Sequence, residues 1–192
     1  MICSSLKIPF YSVHAGFAAD PIFGKNGFIF PKCCSPYDIT MATNRFINTL
    51  AYLLDKAKSL GIQLLVENNV CSANLRGKLL LQTPDEFSEL IQSLPNSNLG
   101  ILLDLGHLIV SAHTLGFKYL DFIDQTAPYI KAVHVHENNG KEDEHRPIVP
   151  GSKMLNVLHS SELLNLPIII ESKYQNISGL CNQVDYIKNE LI

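Results

Sequence analysis

Residues that could bind a metal ion or move a proton are concentrated in one stretch of the second half of the chain. His134 and His136 lie at the end of an apolar run, residues 129–135, and a polar loop with Asp143 and His145 follows. Side chains alternate along an extended strand, so the two histidines are predicted to face the same side. Imidazole and carboxylate groups suit Zn²⁺, Mn²⁺, Fe²⁺ or Co²⁺, and a carboxylate-rich set favours Mn²⁺ or Mg²⁺. A solvated polar loop would have the same composition, so the rest of the chain must distinguish a metal or substrate site from such a loop.

Four more apolar runs end directly in a residue of ligand type. These residues are His14, Glu67, Asp104 and Glu171. Each has an ordinary explanation when it is taken alone, since a single histidine is often structural and aspartate is a favoured helix cap. A carboxylate at the end of an apolar strand is costly, however, unless it is solvated, paired or bound to a metal ion. The same placement after five successive runs favours one shared site.

These residues require elements that hold them together. Predicted strands cover residues 8–14, 62–66, 99–103, 129–135 and 166–170. Helices are predicted between Asp38 and Gly61, from Thr83 and Pro84 onward, and over residues 108–115, 117–126, 152–160 and 178–192. Residues 17–36 are rich in glycine and proline and are predicted to be an irregular active-site loop, and residues 96–98 a turn.

Strands that alternate with helices predict an α/β fold of parallel strands joined by right-handed crossovers. In a (β/α) barrel the carboxyl ends of all strands open onto one face, and that face carries the active site. The ligand-type residues would then point toward one place. A chain of 192 residues is predicted to form a single domain, residues 1–192.

Composition and charge exclude several classes of function. The chain is 46% hydrophobic and 17% charged, which is typical of a soluble globular protein. A net charge of -3, with lysine and arginine scattered along the chain, argues against nucleic acid as a partner. The five cysteines show no C-x-x-C spacing, and the chain lacks the pattern of a signal peptide or a membrane span. A reduced, cytoplasmic protein fits these features.

The ligand-type residues lie within recognisable motifs. These are Val-His-Ala-Gly at 13–16, Val-Glu-Asn-Asn at 66–69, Leu-Asp-Leu-Gly-His at 103–107, His-Val-His-Glu-Asn at 134–138 with Asp-Glu-His at 143–145, and Ile-Glu at 170–171. Their order along the chain resembles the xylose-isomerase-like TIM barrel superfamily. That superfamily contains sugar-phosphate isomerases and epimerases together with zinc apurinic endonucleases.

Resemblance to the isomerase and epimerase branch implies one divalent metal ion, which would be Mn, Zn, Co, Fe or Mg. Its ligands carry over to Glu67, Asp104, His134 and Glu171. The two glutamates would also act as catalytic acid and base on a small sugar or sugar phosphate. A divalent ion polarises the carbonyl of an open-chain sugar, and flanking carboxylates can then move a proton through an enediolate. His107 and His136 would orient substrate hydroxyls or serve as accessory ligands.

A zinc-dependent apurinic (AP) endonuclease, which cleaves phosphodiesters, is the first alternative. Resemblance to that family implies up to three zinc ions and further ligands at His14, His107, Asp143 and His145. The acidic net charge argues against it, because phosphate contacts need lysine and arginine. Related isomerase-like proteins share the same loop, so the extra residues distinguish the two activities poorly.

The departure from the family pattern lies at the two ends of the barrel. The strand that ends at His14 resembles the third of eight, so the first two βα units are expected to be missing, and a final strand after Glu171 is hard to find. An open barrel exposes strand edges and apolar surface. The second alternative is therefore a truncated, non-catalytic metal-binding remnant that needs a partner chain. It predicts a homo-oligomer or poor solubility.

Overall fold

The structure is a computed structural model that describes residues 7–24, 27–31, 38–95, 98–159 and 162–191. Its strands are β1 (Phe10–His14), β2 (Ile22–Gly24), β3 (Gly27–Ile29), β4 (Gln63–Glu67), β5 (Leu99–Asp104), β6 (Ile130–Val135) and β7 (Ile168–Ile170). Its α-helices are α1 (Ile39–Ser59), α2 (Pro84–Ser93), α3 (Leu105–Leu115), α4 (Tyr119–Thr126), α5 (Lys153–His159) and α6 (Ile177–Leu191). Two 3-10 turns, Ala127–Tyr129 and Glu162–Asn165, precede β6 and β7.

Five strands form one parallel sheet in the order β1-β4-β5-β6-β7. This is the curled, open part of a (β/α) barrel, and it confirms the predicted α/β class. The pairing register brings the ends of neighbouring strands level, because His14 pairs with Glu67 and Asp104 pairs with His134. Among the described residues, β1 and β7 each have one neighbouring strand, so the sheet is not closed there.

The helices cover the outer face of the sheet. Alternate strand residues such as Val66, Leu103 and Val133 join a core that includes Phe87 of α2 and Phe122 of α4. Those two rings are fully buried and pack edge to face, with their centroids 5.2 Å apart. No helix among the described residues is both long enough and apolar enough to cross a membrane.

Helix α2 begins as the sequence predicts. The Thr83 hydroxyl accepts a hydrogen bond from the Glu86 amide at 3.3 Å, and the Glu86 carboxylate accepts one from the Thr83 amide at 2.9 Å. This capping box, with Pro84 in the first turn, satisfies amide groups that a helix start would otherwise leave unpaired.

Two predicted elements differ from the structure. Residues 17–36 are not simply irregular, because β2 and β3 pair as an antiparallel hairpin that carries exposed Phe23 and Ile29. Helix α3 starts at Leu105 rather than at residue 108, since the Asp104 side chain caps it by accepting a hydrogen bond from the His107 amide at 2.7 Å.

Several predicted boundaries shift by one or two residues. The first and last strands start at Phe10 and Ile168, and β4 and β5 extend to Glu67 and Asp104. Parts of the predictions lie outside the described residues, namely residues 25–26, 32–37, 96–97, 160 and 192.

Candidate metal centre

The inner face of the sheet presents its side chains in two layers. Leu65, Leu102 and Ala132 form a small apolar cluster there, and Ile169 packs against it. Two residues further along the same strands stand Glu67, Asp104, His134 and Glu171. Because strand side chains alternate with a period of two, this second layer projects from the same face at the carboxyl ends of the strands. Alternation and strand register together bring the four predicted ligands to one place.

Four atoms of this layer converge, and we call the residues the carboxylate group. The Nδ1 atom of His134 lies 3.4 Å from Glu67 Oε1, 3.6 Å from Asp104 Oδ2 and 3.0 Å from Glu171 Oε2. One ligand atom from each residue lies within 4.8 Å of the other three. All four of these atoms are buried and lack a hydrogen-bond partner. Buried polar atoms are normally paired, so four unpaired atoms that face one another fit a bound cation.

Asp104 is held so that one carboxylate oxygen remains free. Its Oδ1 atom accepts a hydrogen bond from the His107 amide at 2.7 Å and lies 3.2 Å from His136 Nε2. Its Oδ2 atom has no hydrogen-bond partner and faces His134. The aspartate is fully buried, and a buried carboxylate needs compensation by positive charge. A donor set of three carboxylates and one imidazole would supply a divalent ion with the ligands it prefers.

The electrostatics of the carboxylate group follow from this crowding. Burial lowers the pKa of His134, but the carboxylates of Asp104, Glu171 and Glu67 outweigh burial and raise the pKa to about 11. Burial raises the pKa of Asp104, but the charge of His107 and the contacts with His134 and His136 hold that pKa well below its usual range. A divalent ion binds only the neutral form of an imidazole, so metal binding would compete with protonation of His134.

A second cluster lies beside the first, and we call it the histidine group. It consists of His107, His136, Asp143 and His145, with one ligand atom of each within 4.8 Å of the others. The Nε2 atoms of His145 and His107 lie 2.9 Å and 3.4 Å from Asp143 Oδ2, and His136 Nε2 lies 3.6 Å from Asp143 Oδ1. Three imidazoles and one carboxylate suit Zn²⁺. The two groups share an edge, because His136 also contacts Asp104.

Backbone carbonyl groups orient two of these histidines. The Nδ1 atom of His107 is 2.9 Å from the carbonyl oxygen of Asn68, and that of His145 is 3.0 Å from the carbonyl oxygen of Glu171. If Nδ1 donates its proton there, Nε2 of each ring is left to face Asp143. Histidines that bind metals usually donate their other ring nitrogen in this way.

Charge pairing also shifts the pKa values in the histidine group. Burial lowers the pKa of His107, but Asp104, Asp143 and Glu67 outweigh burial and raise the pKa to about 10. The hydrogen bond with Asp143 raises the pKa of His145. Burial raises the pKa of Asp143, but His107 and His145 outweigh it and lower that pKa.

The structure divides the predicted site residues. His134 and His136 contact opposite oxygens of Asp104 and fall into different groups. His136 is fully buried, which favours a role as ligand or as support for Asp104 over contact with substrate. His14 joins neither group, since its side chain is 62% exposed and its Nε2 atom lies 3.8 Å from Glu67 Oε2.

Three residues that support the site were not singled out from the sequence. Asn68 bonds to the backbone of Asp104, and Asn138 donates to the carbonyl oxygen of Gly106 at 3.0 Å. Gly106 leaves room for the ring of His136, because a Cβ atom at this position would overlap that ring. All three lie within the motifs that resemble the family, at 66–69, 103–107 and 134–138, and this position is the sequence signal that could have identified them.

A family model described as xylose isomerase-like TIM barrel matches residues 1–191. The chain belongs to this family. It is 30% identical over 164 residues to the uncharacterized protein MJ1311 of Methanocaldococcus jannaschii, a match that covers 84% of this chain and 53% of the relative. The resemblance to the superfamily is thereby confirmed.

Solved structures show the same fold. A D-tagatose 3-epimerase-like protein superimposes with a TM-score of 0.74 at 25% identity, covering 98% of this chain and 64% of the other. A putative xylose isomerase from Rhodospirillum rubrum ATCC 11170 gives a TM-score of 0.65 at 16% identity, covering 97% and 63%. The chain thus spans about half to two thirds of the length of these proteins.

Proposed function

We propose that this protein is a divalent-metal-dependent isomerase or epimerase of a sugar or sugar phosphate. One observation carries the proposal: buried, unpaired atoms of Glu67, Asp104, His134 and Glu171 face one another at the carboxyl ends of four parallel strands. The likeness to an epimerase-like protein at 25% identity supports the same chemistry.

The carboxylate group would hold one ion, which would be Mn, Zn, Co, Fe or Mg. A bound divalent ion acts as a Lewis acid toward a carbonyl or hydroxyl oxygen of the substrate. Leu65, Leu102 and Ala132, all fully buried, form an apolar layer next to the four ligand residues. Because this layer excludes water, electrostatic interactions of the neighbouring charged groups are strengthened.

Glu67 and Glu171 are proposed to move the proton. Glu171 is the more accessible of the two, with a side chain 38% exposed against 4% for Glu67. In this proposal one glutamate, as the carboxylate, removes a proton from a carbon next to the sugar carbonyl, and the other, as the carboxylic acid, donates a proton to the opposite face of the resulting enediolate. Epimerisation needs two such groups, because the proton leaves one face of the carbon and returns to the other face.

Metal content tests the proposed site directly. Protein purified without added metal should contain about one Mn, Co, Fe or Zn per chain by elemental analysis. The double variant Glu67→Gln, Glu171→Gln should lose that metal, whereas the matched variant Glu89→Gln should retain it because Glu89 is exposed on α2. A folded wild-type chain that takes up no metal, even when these ions are supplied, would overturn the proposal.

Proton transfer can be tested without knowing the substrate. A panel of ketoses, aldoses and their phosphates is incubated with the metal-loaded protein in D₂O, and deuterium incorporation next to the carbonyl is followed by NMR. We expect exchange with wild type and Glu89→Gln, and loss of exchange with Glu171→Gln. Exchange that persists in Glu171→Gln would exclude this carboxylate as the acid or base.

Phosphodiester hydrolysis by several zinc ions is the second candidate, and the histidine group favours it. A zinc content of two or three ions per chain, reduced by His145→Gln, would support this alternative. Cleavage of a DNA duplex at an abasic site would establish it. The net charge of -3 argues for weak binding of such a duplex.

A further inference from the structure

Asn68 connects the two strands that carry the most buried carboxylates. It follows Glu67 directly, and it is 1% exposed. Its Nδ2 atom donates to the carbonyl oxygen of Asp104 at 3.0 Å, and its Oδ1 atom accepts from the Asp104 amide at 2.7 Å. The last paired residues of these strands are Glu67 and Leu102. The side-chain amide of Asn68 therefore continues the ladder beyond its last backbone pair.

The backbone of Asn68 reaches the other group. Its carbonyl oxygen lies 2.9 Å from His107 Nδ1, and the Nε2 atom of the same ring lies 3.4 Å from Asp143 Oδ2. Asn68 is thus bonded to Glu67 through the chain, to Asp104 through its side chain and to His107 through its carbonyl. It contacts both the carboxylate group and the histidine group.

The hydrogen bonds of Asn68 hold the ends of β4 and β5 together at this site. The ladder between β4 and β5 ends at the pair Glu67 and Leu102, and beyond it a ligand atom of Glu67 lies within 4.8 Å of one of Asp104. Two carboxylates at this distance repel each other when both are ionised. Both bonds of the Asn68 amide go to backbone atoms of Asp104, so they persist whatever the protonation or ligation of the carboxylates. A site that is held in its binding geometry beforehand binds more tightly, because less conformational freedom is lost on binding.

We propose that Asn68 is a positioning residue whose side-chain amide sets the separation of Glu67 and Asp104, and thereby the metal affinity of the centre. This inference rests on the proposed metal site. It predicts that loss of the Asn68 side chain weakens metal binding by more than the accompanying loss of folding stability explains.

Asn69 offers a matched control. It is the next residue, it is 5% exposed, and its Nδ2 atom donates to the carbonyl oxygen of Leu80 at 2.8 Å. Asn69→Ala and Asn68→Ala each remove a buried amide from the segment that directly follows β4. Only the second change removes bonds to a proposed metal ligand.

The experiment measures Zn²⁺ and Mn²⁺ affinity by competition with a chelator, and urea unfolding of the metal-free chain, for wild type and both variants. We expect Asn68→Ala to weaken metal binding by about 10- to 100-fold, as loss of a partner that orients a ligand does, and Asn69→Ala by less than about 3-fold. Both variants should be destabilised to a similar extent. Asn68→Ser, which keeps a polar group on a shorter side chain, should weaken metal binding no more than Asn68→Ala, and it takes the place of Asn68→Ala if that variant does not fold.

Two outcomes would overturn the inference. Wild-type affinity in a folded Asn68→Ala, or in Asn68→Ser if only that variant folds, would show that the bonds to Asp104 do not position the ligands. An equal loss of affinity in Asn69→Ala would show that affinity simply follows stability. A wild-type chain that binds neither ion would instead remove the metal site itself, so failure of the proposed function is distinguishable from failure of this inference.

Discussion

Replacing Gly106 with alanine should displace the His136 ring and destabilise the protein. Gly106 lies in the first turn of α3, against the ring of His136. An added Cβ atom would overlap Cε1 and Nε2 of that ring and lie 2.7 Å from Nδ1. His136 is fully buried, so its ring cannot simply swing into solvent. We expect it to move away from Asp104 and to lose the 3.2 Å contact between His136 Nε2 and Asp104 Oδ1.

The magnitude combines three contributions. Overpacking of a buried position costs about 1 to 3 kcal/mol. Loss of a hydrogen bond to the buried Asp104 carboxylate costs about 1.5 to 3 kcal/mol. Alanine is a better helix former than glycine by about 1 kcal/mol, which acts in the opposite direction. The free energy of unfolding of Gly106→Ala should therefore fall by roughly 1.5 to 5 kcal/mol.

Gly179→Ala is the matched control for this change. Gly179 also lies in the first turn of a helix, α6, but a Cβ atom there would meet its nearest neighbour, Asn176 Oδ1, at an ordinary 3.6 Å. This variant should be as stable as wild type or more stable by up to about 1 kcal/mol. Urea unfolding followed by circular dichroism measures both variants. If Gly106→Ala proved as stable as Gly179→Ala, the close approach of His136 to α3 would be refuted.

Two further predictions concern pH and helix capping. The raised pKa of His134, about 11, means that its protonated form stabilises the metal-free fold below its unfolded pKa, and that this contribution is lost as the pH rises through about 11. The difference in unfolding free energy between metal-free wild type and His134→Gln should thus be largest below the ordinary histidine pKa of 6.5 and shrink from there toward pH 11, and a constant difference would contradict the assignment. Thr83→Ala removes the bond to the Glu86 amide and should cost about 1 kcal/mol in urea unfolding, whereas Ser93→Ala in the last turn should cost less, because the Ser93 hydroxyl bonds to a carbonyl already inside the helix.

Much of the fold could be predicted because its signals are local. Apolar runs mark the buried strands, and Thr83 with Glu86 marks a helix start through bonds within four residues. The hairpin of β2 and β3 escaped prediction, since its glycines and prolines resemble those of an irregular loop. The sequence offers Asp104 both as the end of a strand and as a helix cap, but the pattern places the helix start only at residue 108. In the structure Asp104 ends β5 and caps α3 at once, so the helix begins at Leu105.

The sequence alone determined which residue types stand at the strand ends, and the period of two along each strand determined that they share a face. Only the tertiary structure decided how they divide into a carboxylate group and a histidine group, because that division depends on register between strands distant in sequence. The roles of Asn68 and Gly106 likewise depend on contacts with Asp104 and His136, more than 25 residues away along the chain. Local sequence patterns do not indicate which atoms come into contact across such separations, and the chemistry proposed for this centre depends on those contacts.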